Sequence, residues 1–134
     1  MNKKDKAIDK WLMKLWGLVI HNRDKGCQWC GKKDSSGKMD AHHIFSRESR
    51  GTRWNTYNGI KLCYYCHNWR LKKDFEGFRA IAILKIGLDK YLELYRLFLA
   101  PAKYINYQDI GDLLIKELQK LKVTIPKKPK RLLL

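Results

Sequence analysis

A chain of 134 residues with 45% hydrophobic content fits one domain, residues 1–134, with a core modest enough to benefit from a metal or other staple. Its 29 Lys and Arg against 13 Asp and Glu leave a formal charge of +16, which favours an anionic partner, nucleic acid before membrane. No segment reaches the roughly 18 apolar residues of a membrane span. Trp11–Ile20 is short and broken by Lys14, and the amino-terminal lysines run into Asp9 and Lys10 without a small-residue cleavage site. The expectation is a cytoplasmic chain with no membrane partner.

Residues 5–21 read as a helix, with Ile8, Leu12, Leu15, Trp16 and Val19 recurring at helical spacing. Residues 22–73 change character and are rich in Gly, Cys, His, Asn, Trp and Arg. Lys32–Gly37 is a turn by composition. Residues 38–41 and 59–62 are short enough to be the strands of a hairpin, and a short helix is expected from Cys66. Helical patterning returns over 74–122. Its stripes are Phe75, Phe78, Ala82 and Ile86, then Tyr91, Leu94, Tyr95 and Phe98, then Ile110, Leu113, Leu114, Leu118 and Leu121. All three read as core. Pro101 separates the second stripe from the third, and Asn106 is the expected N-cap of the last helix, with Asp109 in its first turn. The chain ends in a basic tail, residues 123–134, of which Pro126–Arg131 is expected to be disordered.

All four cysteines fall in two Cys-x-x-Cys pairs, Cys27–Cys30 and Cys63–Cys66. Two such knuckles can close a tetrahedral thiolate site around a structural Zn²⁺. Gly31, directly after the first pair, eases the tight turn. Redox dithiols or free buried thiols would not explain why every cysteine is paired at one spacing.

Three of the four histidines lie in this zinc-framed stretch, His42 and His43 between the pairs and His67 just after them. If His42 and His67 both face the hairpin–helix junction, they can hold a second, harder metal. His43, pointing elsewhere, stays free to take a proton from water, a task that suits imidazole near neutral pH. The amide of Asn58 cannot titrate but can hold a loop or a ring in one orientation. His21, at the end of the first helix, reads as structural or exposed.

The stretch 27–67 resembles the HNH endonucleases, whose ββα-metal motif runs Cys-x-x-Cys, Asp/His-His-Ile, Asn, Leu-Cys-x-x-Cys-His. Here those elements are Cys27–Cys30, His42-His43-Ile44, Asn58 and Leu62–His67, with 15 positions from His43 to Asn58 and 9 from Asn58 to His67. The helices after the second knuckle are similar to small phage-type members, with less specificity. The resemblance implies an α+β fold, a ββα-metal finger stapled by four cysteines and flanked by helices. It places His43 at the general base and Asn58 beside it as the catalytic asparagine that fixes loop and base. His42 and His67 fall at the ligands of one catalytic divalent cation, Mg²⁺, Mn²⁺, Ni²⁺ or Zn²⁺. Some members carry a further metal-binding His where this chain has Leu71. Asp40, two residues before His42 on a strand, is a candidate supporting group behind those ligands.

The implied activity is metal-dependent hydrolysis of DNA phosphodiester bonds, by nicking or double-strand cutting, leaving 5′-phosphate and 3′-hydroxyl ends, in a phage-encoded protein within its host. Arg47 and Arg53 resemble arginines of the phage-type pattern and are candidates for phosphate contact. Lys72, Lys73, Lys127, Lys128, Lys130 and Arg131 add sequence-independent affinity for DNA. Trp29, Trp54 and Trp69 read as filling of a small core. Two rivals come from other classes. One is a non-catalytic zinc module that binds DNA or RNA. The other is a protein-interaction adaptor, which a large exposed apolar patch on residues 75–121 would favour.

Overall fold

The computed structural model describes residues 2–101 and 104–129. The chain opens with helix α1 (Lys3–Arg23), whose first turn is capped by Asn2, the side chain accepting from Asp5 N. A two-stranded antiparallel sheet follows, β1 (Met39–His43) paired with β2 (Gly59–Cys63). A π-helical turn, Cys66–Arg70, runs into the short α2 (Leu71–Lys73). Helices α3 (Phe75–Ile86), α4 (Leu88–Leu99) and α5 (Tyr107–Lys120) complete the described elements. The α+β class holds, and no described helix is long and apolar enough to cross a membrane.

The hairpin is two-faced, and each face has its own core. On one face α1 packs through Trp11, Leu12, Leu15, Trp16, Val19 and Ile20, joined by Trp54 and by Leu114 and Leu118 of α5. On the other, Ile60 and Leu62 of β2 meet Cys27, Cys63, Cys66 and Phe78 of α3. Alternation along a strand sends neighbours to opposite faces, so His43 meets Trp16 on one face and His42 meets Phe78 on the other. Gly59 is what lets α1 approach: a Cβ there would stand 2.5 Å from both Ile20 Cδ1 and Trp16 Cζ2.

The carboxylate of Asp24, 1% exposed, ties the layers together. It accepts from Arg23 Nε at 2.8 Å, Lys85 Nζ at 2.7 Å and Lys61 N at 3.0 Å. Burial pushes this carboxyl up, but Arg23 and Lys85 outweigh it and hold it below the ordinary value. Lys61, itself buried, reaches Asp34 at 2.8 Å and so fastens the Lys32–Gly37 turn.

Three expectations need correction. β1 extends to His43, two residues beyond the predicted end, because the ladder continues to His42↔Ile60 and His43↔Gly59. The stretch expected to be disordered is held over its described residues 126–129. Val123 and Ile125 pack on the α1–α5 core, Pro126 O accepts from Trp11 Nε1 at 3.4 Å, and Lys128 Nζ lies 5.7 Å over the Trp11 ring. Lys130 and Arg131 lie outside the described residues. The carboxy-terminal stripes are also only partly core: Phe75, Tyr95 and Leu113 are 54%, 46% and 66% exposed. Asn106 does cap α5, accepting from Asp109 N at 3.1 Å.

Candidate active site

The first knuckle turns through Gly31 in the left-handed region (φ 80°), and Cys27 O accepts from Gly31 N at 2.9 Å. The second knuckle forms where β2 enters the π-helical turn, with Cys66 N donating to Cys63 Sγ at 3.4 Å. The four sulfurs all lie within 4.8 Å of one another and form no disulfide. Cys30 and Cys63 are 3.7 Å apart at sulfur. A tetrahedral site with metal–sulfur bonds of about 2.3 Å has edges of roughly 3.8 Å, so the quartet is already shaped for one ion. Burial pushes the thiols of Cys30 and Cys66 up. It also opposes ionisation of Cys27, but backbone groups of Cys30, Cys63 and Trp29 more than offset it and bring that thiol down to about 7. A cation held there would supply the charge that lets all four ionise.

On the same face of the hairpin lie Asp40, His42 and His67. The rings of His42 and His67 are 4.9 Å apart between centroids. Asp40 Oδ2 is 3.1 Å from His67 Nδ1, which orients the imidazole and leaves its Nε2 free. The carboxylate thus supports His67, not the adjacent strand residue His42. Burial and then the neighbouring His67 and His43 lower His42 to about 4, so its ring is neutral and able to ligate at neutral pH. Among the described residues, only the cysteine quartet gathers three or more ligand atoms within 4.8 Å, so the Asp40–His42–His67 group is the more open of the two. The place where a further histidine was a possibility is filled by Leu71, which packs on the cysteine-side core.

His43 points to the other face. Its ring stacks on Trp16 of α1 with centroids 3.9 Å apart and planes 8° from parallel. Its Nε2 is 2.9 Å from Arg53 O. A carbonyl only accepts, so Nε2 carries the proton and Nδ1 keeps its lone pair. Burial lowers the affinity of this ring for a second proton, with Arg47 and Arg53 adding to that and the Arg53 carbonyl opposing it.

Asn58 is fully buried and makes no hydrogen bond to the His43 ring among the described residues. Its Oδ1 accepts from Phe45 N at 2.7 Å, and its Nδ2 donates to Phe45 O at 3.1 Å and Thr52 O at 3.0 Å. It is a positioning residue that fixes both ends of the loop running from β1 to Arg53. The two arginines of that loop divide. Arg47 is exposed. Arg53 spends Nε on Arg47 O at 2.7 Å and Nη1 on Asp9 at 2.9 Å, so its main contacts are inside the fold.

Several of these supports were not read from the sequence. Trp16 lay on an apolar helix stripe, where a stacking partner looks like any core residue. Asp9 looked like a solvated helix charge, and the Arg53 carbonyl carries no side-chain signal. Phe45 also proves central: it packs against Tyr91, Tyr95 and Phe98 of α4 at 5.0–5.9 Å. Of the tryptophans, Trp54 is buried, but Trp69 is 53% exposed and is not core. His21 sits partly buried on α1.

Residues 27–72 match the family model described as HNH endonuclease. The knuckles, the hairpin and the helical turn after them are therefore an HNH domain, occupying about a third of the chain. No curated protein and no solved structure matches the chain.

Proposed function

We propose that the protein is a divalent-metal-dependent endonuclease that hydrolyses DNA phosphodiester bonds, with His43 as the general base. The observation that carries this reading is the pinning of the His43 ring. Trp16 holds its plane, Arg53 O fixes its tautomer, and Nδ1 is left with a lone pair, one residue from His42 and its partner His67.

In this mechanism Nδ1 of His43 removes a proton from a water molecule. The hydroxide adds to phosphorus, the bond to the 3′ oxygen breaks, and that oxygen takes a proton from solvent. The ends are 5′-phosphate and 3′-hydroxyl. Depression of its basicity by burial keeps His43 neutral and ready at pH 7. His42 and His67 are the residues that would hold the catalytic cation, with Asp40 keeping the His67 ring turned towards it. Such an ion supplies Lewis-acid stabilisation of charge on the scissile phosphate and the leaving oxygen. Exposed Arg47 binds a substrate phosphate, and Arg53 shapes the loop that presents it. The cysteines hold a structural Zn²⁺ that takes no part in the chemistry, which suits a reducing cytoplasm.

The test uses supercoiled plasmid with Mg²⁺, Mn²⁺, Ni²⁺ or Zn²⁺ and a chelator control. Conversion to relaxed or linear plasmid with at least one metal, abolished by chelation, is the expected result. Plasmid left supercoiled with every metal, while the protein still retards it in a gel, would replace this reading with a non-catalytic zinc-containing DNA- or RNA-binding module.

A further inference from the structure

Helix α4 carries two apolar faces, and only one is covered. Its inner face places buried Leu94 in the fold and sets Tyr91 and Phe98 against Phe45. Its outer face shows Leu88, Leu92 and Leu99, exposed at 55%, 46% and 61%, and Tyr95, 46% exposed, at the edge where its ring also meets Phe45. Those four are spaced by four, three and four residues, the interval at which side chains line one seam between two helices. On α3, which packs on α4, Leu84 is 82% exposed and adds to the uncovered apolar surface. An apolar helix stripe of this kind is rarely left to water.

The charges beside the stripe say what fits it. Asp89 and Arg96 stand seven residues apart, two turns along α4 on the same flank. Neither takes part in an ion pair among the described residues. One acid near the start of the helix and one base near its end make the surface self-complementary. An antiparallel second copy brings Asp89 of each helix to Arg96 of the other, twice by symmetry, as a two-fold interface requires. We propose that the outer face of α4 is a homodimer interface, closed by a second copy of this chain packing antiparallel along Leu88, Leu92, Tyr95 and Leu99.

The test is the mass in solution of the full, zinc-loaded chain at roughly 100 µM, high enough to populate a dimer of micromolar dissociation constant. Light scattering after size exclusion is expected to give twice the chain mass of 16.0 kDa. Leu92→Glu, at an exposed position, is expected to halve that mass while keeping its zinc. Asp89→Arg and Arg96→Asp are each expected to weaken association by about fivefold, and the double swap to restore it. A wild-type monomer, or a dimer that survives Leu92→Glu, overturns the proposal, and the first of these leaves the face to a different protein. Mass is read without any cleavage, so the nuclease reading can fail while this stands. Where both hold, Leu92→Glu shifts plasmid products from double-strand breaks towards nicks.

Discussion

The two faces of one hairpin are stabilised by different means. Towards α1 the sheet meets an ordinary hydrophobic core of large side chains, three of them tryptophans. Towards α3 it meets a cluster of six buried residues, three of them cysteines. Apolar burial holds the first face, whereas the second gathers four thiols that could hold an ion. The difference bears on function because the site straddles the seam. His43 is seated on the hydrophobic side by Trp16, while His42 and His67 sit on the side that the cysteines organise.

That contrast predicts effects of decreasing size. Cys63→Ser should cost most, since structural zinc sites contribute on the order of 10 kcal/mol to folding of the segments they join. Hydrogen exchange should show residues 27–70 losing protection while amides of α1 and α5 keep theirs. Uniform loss across the chain would show that the two sides fold as one unit. Trp16→Ala should cost about 3–5 kcal/mol through the cavity it leaves, read as a drop in unfolding midpoint with zinc content unchanged. Because the His43 ring loses its stacking partner, activity should fall by more than the remaining folded fraction explains.

Asn58→Ala strands three backbone groups, Phe45 N, Phe45 O and the buried Thr52 O, and should cost about 3 kcal/mol. Denaturant unfolding measures that cost. Asp9→Asn removes a partly exposed ion pair with Arg53 and should cost less than about 1 kcal/mol. The smallest effect is on pH dependence. In the proposed mechanism His43 works in its neutral form, and the fold depresses its basicity from the ordinary 6.5. Cleavage rate should therefore stay on its plateau as pH falls to about that value and decline only below it, as a pH–rate profile would show.

What the sequence made legible was mostly covalent spacing. Cysteine pairs, a His-His-Ile triplet and an Asn-Gly before a short apolar run report on a site whose residues are close along the chain. The hairpin, the helical turn at Cys66 and the cap at Asn106 followed from such local signals. The supports for His43 were not legible, because Trp16 and the Arg53 carbonyl meet it only through tertiary packing. The packing of the tail is hidden from the sequence for a related reason. Its lysines and prolines suggested disorder, but Val123 and Ile125 alternate apolar side chains onto a core that composition does not display. On α4 periodicity picks out Tyr91, Leu94, Tyr95 and Phe98, which do meet the fold, and passes over Leu88, Leu92 and Leu99 beside them, which are exposed.

The most direct measurement is the single-turnover rate of plasmid cleavage by His43→Ala beside wild type, both zinc-loaded and matched in DNA binding. A general base contributes about 10²–10⁴-fold, so the variant should lose at least about a hundredfold while its fold and plasmid affinity stay intact. A His43→Ala rate within about threefold of wild type would contradict the assignment of His43 as the base.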